Sequence, residues 1–328
     1  MRSFWQSAAT MLWLSVLCSC LVAAPISDKE HEWMVSVDNL VLEHIDEMEE
    51  GFTANEALEK YEAEYRQVLR GRTGVPVGKA EMQKSLAKAN CVFLTDEHTV
   101  AKAQANTVWV LETMSKGQGP VALVLEWIDA SFQKDLDQYL RGEITAEELK
   151  KTVRYDELWG FPWGGYKAVL EKAKSLQIPV LLADSFIEHK SLAQRDDQVV
   201  ARMNLFKKDN PQTRFLVVYG AFHILGKDHM GEKAAKAGLK PDLFLVGEAS
   251  EIFWQALTKH KDTEKFPFLS LGDNIFYIQN GTPVERHRSY RQYLMDLLGY
   301  YDDDFDYPLS EMVDDEQTRF SRLWSKVN

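Results

Sequence analysis

Two histidines and a set of carboxylates stand just after short apolar runs, and these are the residues best placed to do chemistry. Thr95-Asp96-Glu97-His98 follows the run 91–94, and Glu126 follows 121–125. Asp184 follows 179–183, Tyr219-Gly220-Ala221-Phe222-His223 follows 215–218, and Gly247-Glu248 follows 243–246. Imidazoles and carboxylates in this combination suit two chemistries. Asp96, His98, Glu126 and His223 offer nitrogen and oxygen ligands for a divalent first-row metal. His98, Glu126 and His223 also offer a base and an acid to orient it, which activates water for hydrolysis. Structural roles compete with both. A lone acid after a strand commonly caps a helix, and an imidazole commonly bonds a backbone carbonyl. A carboxylate at the end of a central strand is costly without a partner, so Glu126 either pairs with Arg195 or serves a site.

The elements needed to bring these residues together are legible in the pattern. The five runs are apolar throughout rather than alternating, as in strands buried on both faces of a parallel sheet. Helical stretches separate them, and parallel strands require such crossovers. The expected fold is α/β, a mostly parallel sheet flanked by helices, with extra helical segments at both termini. In such sheets the ligand crevice lies at the carboxyl ends of the strands, where the polar residues stand. The run 274–279, followed by Asn280-Gly281, reads as an edge strand entering a turn. Thr53-Ala54-Asn55-Glu56 reads as a capping box for a helix to about Arg70, and residues 71–78 break the chain. The expected division is a leader over 1–24, a helical segment over 25–78, an α/β domain over 79–285 and a helical extension over 286–328.

Composition removes several function classes. The 328 residues are 45% apolar and 27% charged, with 18 Gly and 10 Pro, so the chain is neither disordered nor low in complexity. A formal charge of −12 repels phosphates and anionic lipid, so no nucleic-acid partner is expected. There is no G-x-S-x-G elbow, no H-E-x-x-H and no phosphate-binding glycine loop. Arg2 and the apolar stretch 8–18 read as a secretory signal, too short for a comfortable membrane span. Val22-Ala23-Ala24 is one cleavage signal, although Pro25 disfavours it. Leu17-Cys18-Ser19-Cys20 resembles a bacterial lipobox, with cleavage at about 19/20 and lipid on Cys20. The expectation is export to the cell envelope, with a lipid anchor as the membrane contact. Cys91 is the one cysteine of the folded region and reads as a buried thiol. His189, His229, His260 and His287 read as surface residues, and the acidic stretch 300–307 as a solvated loop.

The order of motifs resembles the ChaN-like haem-binding family, within the superfamily that includes Tiki proteases and erythromycin esterases. Leu94-Thr95-Asp96-Glu97-His98 stands where that family has L-G-E-x-H, and Leu125-Glu126-Trp127 is similar to its next strand end. Gln133 and Leu136-Asp137-Gln138-Tyr139-Leu140-Arg141-Gly142 match its Q-x-x-L-D-x-Y-L-x-G helix. Trp159, Trp163 and Tyr166 match an aromatic segment, and Arg195-Asp196 with Gly220 to His223 complete the series. The resemblance spans about 91–248. It implies an exported haem- or iron-binding protein, with His98, Glu126, Trp159, Trp163, Tyr166, Arg195 and His223 at the cofactor. Its hydrolytic branch implies instead a His98/Glu126/His223 hydrolase, with or without a divalent metal. Thr95 replaces the family glycine and Asp96 its glutamate, which implies an altered turn or a degenerate site.

Overall fold

The computed structural model describes residues 27–50, 52, 55–188, 190–260 and 267–299. The leader, Cys20, Thr53-Ala54, His189 and the acidic stretch 300–307 lie outside the described residues. Eight strands form one mixed sheet in the order β1-β7-β8-β6-β2-β5-β3-β4. They are β1 (Val75–Val77), β2 (Cys91–Asp96), β3 (Val121–Leu125), β4 (Val180–Leu182), β5 (Arg214–Gly220), β6 (Leu243–Val246), β7 (Phe268–Ser270) and β8 (Ile275–Ile278). β2 to β6 pair in parallel, as the uniformly apolar runs require.

Successive residues of the central strands serve opposite layers, because side chains alternate across a sheet. Val92, Leu94, Leu123, Leu125, Leu216 and Val218 join one core cluster, while Cys91, Phe93, Ala122, Val124, Phe215 and Val217 join the other. The first layer is closed by α3 (Lys79–Lys88), α4 (Ala101–Ser115), α5 (Gln133–Arg141), α6 (Ala146–Thr152), α7 (Tyr155–Leu158) and α8 (Trp163–Ser175). Facing the second are α9 (Leu192–Asp209), α10 (Ala221–Ile224), α11 (Met230–Lys236) and α12 (Ser250–His260). Truncating a fully buried strand residue such as Leu123 to Ala costs ~2–5 kcal/mol. α5 stops where the Q-x-x-L-D-x-Y-L-x-G motif ends, with Gly142 in the left-handed region at φ 81°.

The terminal segments extend the site upward from the sheet. α1 (Asp28–Glu49) packs on α13 (Pro283–Leu298) through Val41, Ile45 and Leu294, and His287 Nδ1 meets Asp38 at 2.6 Å. α2 (Glu56–Leu69) packs on α10 and reaches α9 through Tyr61 and the end of β6 through Tyr65.

Four expectations change. The run containing β8 is an interior strand, parallel to β6 and antiparallel to β7, and the edges are β1 and β4. β1 and β7 are three-residue strands, too short for a periodic signal, and β1 lies inside the segment read as a chain break. At α2 the cap is Asn55, whose side chain accepts from the Leu58 amide, so Glu56 is the first helical residue and no reciprocal box partner. α13 opens at Pro283 under a Thr282/Glu285 capping box, so position 285/286 falls in its first turn.

Candidate functional site

His98 leaves the end of β2 and is fixed from behind. Its Nδ1 meets Asp96 Oδ2 at 2.9 Å, and Asp96 also accepts from the Tyr166 hydroxyl at 2.7 Å and Gln104 Nε2 at 2.8 Å. Trp159 and Phe161 close on the imidazole, each with a ring-centre distance of 4.8 Å. Burial alone lowers the affinity of this ring for a proton. The hydrogen bond and charge of Asp96, followed by Glu126 and Glu248, outweigh that and hold His98 above the ordinary histidine range.

A second dyad lies just beyond β5, where His223 falls in α10 three residues past the strand end. His223 Nδ1 meets the fully buried Asp196 at 2.6 Å, and the Tyr61 hydroxyl of α2 donates to the other oxygen of Asp196 at 3.3 Å. Burial again opposes the charge on His223, and the Asp196 hydrogen bond and Glu126 reverse it, so this imidazole also titrates above its usual range. In each dyad the aspartate fixes Nδ1 as the donor and leaves Nε2 for the cavity, which is the orienting role of an acid behind a catalytic base.

Glu126 stands between them. Its Oε2 accepts from the Gly220 amide at 2.7 Å, its Oε1 lies 3.1 Å from Arg195 Nη2 and 3.7 Å from His223 Nε2. Burial would raise this carboxyl, but His223, Arg195, His98 and the Gly220 amide hold it below the usual glutamate range. Arg195 also forks onto Asp184 at 2.6 Å, and Asp184 is fully buried. There burial prevails over the arginine, and the Asp184 carboxyl sits above its usual range.

Gly220 has a further part. A Cβ at this position would lie 3.5 Å from both Glu126 Oε2 and His98 Nε2. The carboxylate oxygen and the imidazole nitrogen therefore face one another across a gap beside the glycine. Its φ of −50° is open to any residue and a Cβ would meet only ordinary contacts, so neither conformation nor space demands glycine here.

The dyads open into a cavity of about 650 Å³, within the range of small-ligand sites. The cavity continues past His98 to Glu97, Glu248, Arg286, His287 and Tyr290, under the roof of α1 and α13. Glu97 accepts from Asn280 at 2.7 Å and faces Arg286 Nε at 3.4 Å. A Cβ on Gly247 would collide with Glu97 and Asn280, so the backbone there must stay bare. Another hollow of about 690 Å³, bounded by α5, α6 and α8, contains none of these groups.

The structure thus gathers Asp96, His98, Glu126, Arg195 and His223 at one cavity. The aromatic expectations are redistributed: Trp159 and Tyr166 stand behind His98 and Asp96, half-buried Trp163 packs on Tyr155, and Phe161 is the residue of that segment that reaches the cavity wall. Among the described residues no group of three or more His, Cys, Asp and Glu side chains is arranged to hold a metal ion. The physical reason is that Asp96 is engaged by His98, Tyr166 and Gln104, so it orients the imidazole instead of joining it on a common centre. Thr95 does not damage the turn. It lies within β2, and its hydroxyl accepts from the Gly247 amide at 2.8 Å, tying β2 to the end of β6. His229 is fully buried, not exposed, with Nε2 at 2.7 Å from Glu64 and its ring stacked on Tyr61. His287 is also no free surface residue, since it pairs with Asp38 and lines the cavity. Sequence reasoning missed Tyr61, Arg286, His287 and Tyr290, which lie on terminal helices without any motif.

The fold is an α/β sheet carrying polar groups at its strand ends. The sequence model of one family, described as haem-binding uptake, Tiki superfamily, ChaN, matches residues 82–185. Over that segment the chain is distantly homologous to the ChaN/Tiki haem-binding superfamily. No curated protein matches. Solved structures with partial likeness include ChaN of Campylobacter jejuni with cofacial haem, at 17% identity, covering 53% of this chain and 88% of that one with a TM-score of 0.40. The type III effector HopBA1 follows at 14% identity, 55% and 90% coverage and a TM-score of 0.40. The C-terminal region of Pasteurella multocida toxin has 13% identity, 58% and 27% coverage and a TM-score of 0.36.

Proposed function

We propose that the protein is a hydrolase in which the His98 and His223 dyads and Glu126 activate water against an uncharged or cationic acyl substrate. The observation that carries this reading is the gap between His98 Nε2 and Glu126 Oε2, which both stand 3.5 Å from one point beside Gly220. A water there can give a proton to a base whose other nitrogen is held by Asp96, the geometry general-base catalysis needs. Attack by that water forms the new carbon–oxygen bond, and the leaving group departs toward the wider part of the cavity. Phosphoryl substrates suit the site poorly, because Glu49, Glu62, Glu97 and Glu248 line the same walls.

Haem or iron binding is the second reading, favoured by the family match over residues 82–185. His98 offers an axial nitrogen, but among the described residues lining the cavity no arginine is left for the propionates. Arg195 is committed to Asp184 and Glu126, and Arg286 to Glu97 and the Gly247 carbonyl. The residues present therefore fit an acid–base site better than a haem pocket. Export to the cell envelope, with Cys20 as lipid anchor, is proposed on the leader sequence alone.

His98→Gln and His223→Gln test the hydrolase reading. Each is expected to lower turnover of a small ester by ~10²-fold or more while the circular dichroism spectrum stays that of the folded wild type. A His98→Gln variant with unchanged turnover removes the reading. A saturable Soret shift with hemin that disappears in His98→Gln installs the haem reading in its place.

A further inference from the structure

Six carboxylates line the cavity, and five are held. Asp96 is bound by His98, Tyr166 and Gln104, and Glu126 by Gly220 and Arg195. Glu97 meets Asn280 and Arg286, Glu49 accepts from Tyr290, and Glu62 from Arg66. Glu248 is the exception: among the described residues its carboxylate has no hydrogen bond and no ion pair. Only its backbone is tied, the carbonyl accepting from the Tyr65 hydroxyl at 2.9 Å.

Its place in the sheet is informative. Glu248 emerges just past β6, and β6 pairs directly with β2, the strand that ends at His98. Glu248 and His98 line the same cavity, and the Glu248 charge acts on the imidazole. Glu126 and Gly220 follow β3 and β5, on the other side of β2. His98 therefore has Glu126 and Gly220 on one flank and an unengaged carboxyl on the other. A substrate carbonyl over His98 would meet the attacking water from the β5 side and direct its leaving group toward β6.

We propose that Glu248 is the proton donor to the leaving group in this site, a role that rests on the hydrolytic reading above. In the step, the oxygen of water bonds to the acyl carbon and its proton passes to His98 Nε2. The bond between acyl carbon and leaving oxygen breaks, and that oxygen takes the proton of the Glu248 carboxyl, giving an acid and an alcohol. Solvent returns the proton from His98 to Glu248, so neither group is consumed. Two carboxyls whose surroundings push them apart are what such a division of labour needs. Burial, then the neighbouring Glu97, place the Glu248 carboxyl above the usual glutamate range, with Glu62 acting in the same direction and Arg286 and Arg66 opposing. Glu126 is held in the other direction.

The test compares ethyl butyrate, whose leaving alkoxide needs a proton, with 4-nitrophenyl butyrate, whose leaving phenolate needs little help. Glu248→Gln keeps the shape and removes the acidic proton. Its kcat/KM should fall by ~10²–10³-fold on the ethyl ester and by a much smaller factor on the nitrophenyl ester, steepening the dependence on leaving-group basicity. The wild-type Glu248 carboxyl, followed by carbon NMR, should titrate above the ordinary glutamate range. Equal losses on both esters, no loss on either, or an ordinary titration overturns the proposal while leaving the water-activating dyads intact. Absence of turnover by the wild-type chain on both esters overturns the hydrolytic reading itself.

Discussion

Arg195 holds together two carboxylates that cannot otherwise share their space, so its removal is the most revealing single perturbation. Its side chain is 15% exposed, Asp184 is 0% and Glu126 7%, so water screens little of what happens among them. In Arg195→Met the alkyl packing is largely kept and the charge is lost. Breaking a buried ion pair from one side costs ~3–5 kcal/mol, because the remaining charge is left desolvated. Here two charges are left, but each can take up a proton instead of staying ionised, which limits the cost. Asp184 already sits above its usual range despite the arginine, so it protonates first. The expected loss is therefore ~3–5 kcal/mol near pH 7, shrinking as pH falls toward 4 and both carboxyls become neutral. Urea unfolding of the wild type and the variant between pH 4 and 8 measures it. A loss below ~1 kcal/mol, or one independent of pH, would refute the view that this arginine neutralises buried charge. Because the pair pays its own desolvation, Asp184→Leu combined with Arg195→Met should recover part of the loss.

Two further outcomes follow from the same geometry. His98 and His223 bind protons more tightly in the fold than at their ordinary value of 6.5, so their stabilising contribution is complete below that pH and fades as pH rises through the folded values. Glu126 behaves oppositely, contributing above 4.5 and losing its share as pH falls through its depressed value. Thermal melts from pH 5 to 9 should show the alkaline decline flattened in His223→Gln, and parallel curves would contradict the assignment. Gly247→Ala should cost ~1–3 kcal/mol by pushing Glu97 and Asn280 apart, measurable by denaturant unfolding, whereas an unchanged midpoint would mean the contact relaxes freely.

The sheet was readable because burial on both faces leaves an unambiguous trace. Runs such as 121–125 have no polar position, and they became the parallel strands around which the chain winds. Strands with three residues carry no comparable trace, and β1 was hidden behind Gly74 and Pro76. The interior place of β8 was illegible for a different reason. Its neighbour β7 completes the antiparallel pair from a separate short segment, so nothing local distinguishes it from an edge. Strand-end groups were legible as candidates, since the carboxyl ends of parallel strands face one side. Their wiring was not. That Asp96 backs His98 two residues away, while His223 draws on Asp196 from another helix, depends on tertiary placement.

The family match covers only part of the site. Residues 82–185 contain Asp96, His98, Glu126, Tyr166 and Asp184, which make one dyad and half of the charge cluster. Arg195, Asp196, Gly220, His223 and Glu248 lie beyond that segment, and Tyr61 comes from before it. The second dyad is completed across the two: Tyr61 of α2 donates to Asp196 of α9, which in turn fixes His223 after β5. Arg286, His287 and Tyr290 of α13 line the same cavity as Glu97 and Glu248. A segment that supplies one oriented imidazole and a carboxylate is compatible with either a ligand or a reaction. The choice between them rests on the surrounding elements, where Arg195 and Arg286 are already engaged, His98 Nε2 and Glu126 Oε2 face one gap beside Gly220, and the Glu248 carboxylate has no partner among the described residues.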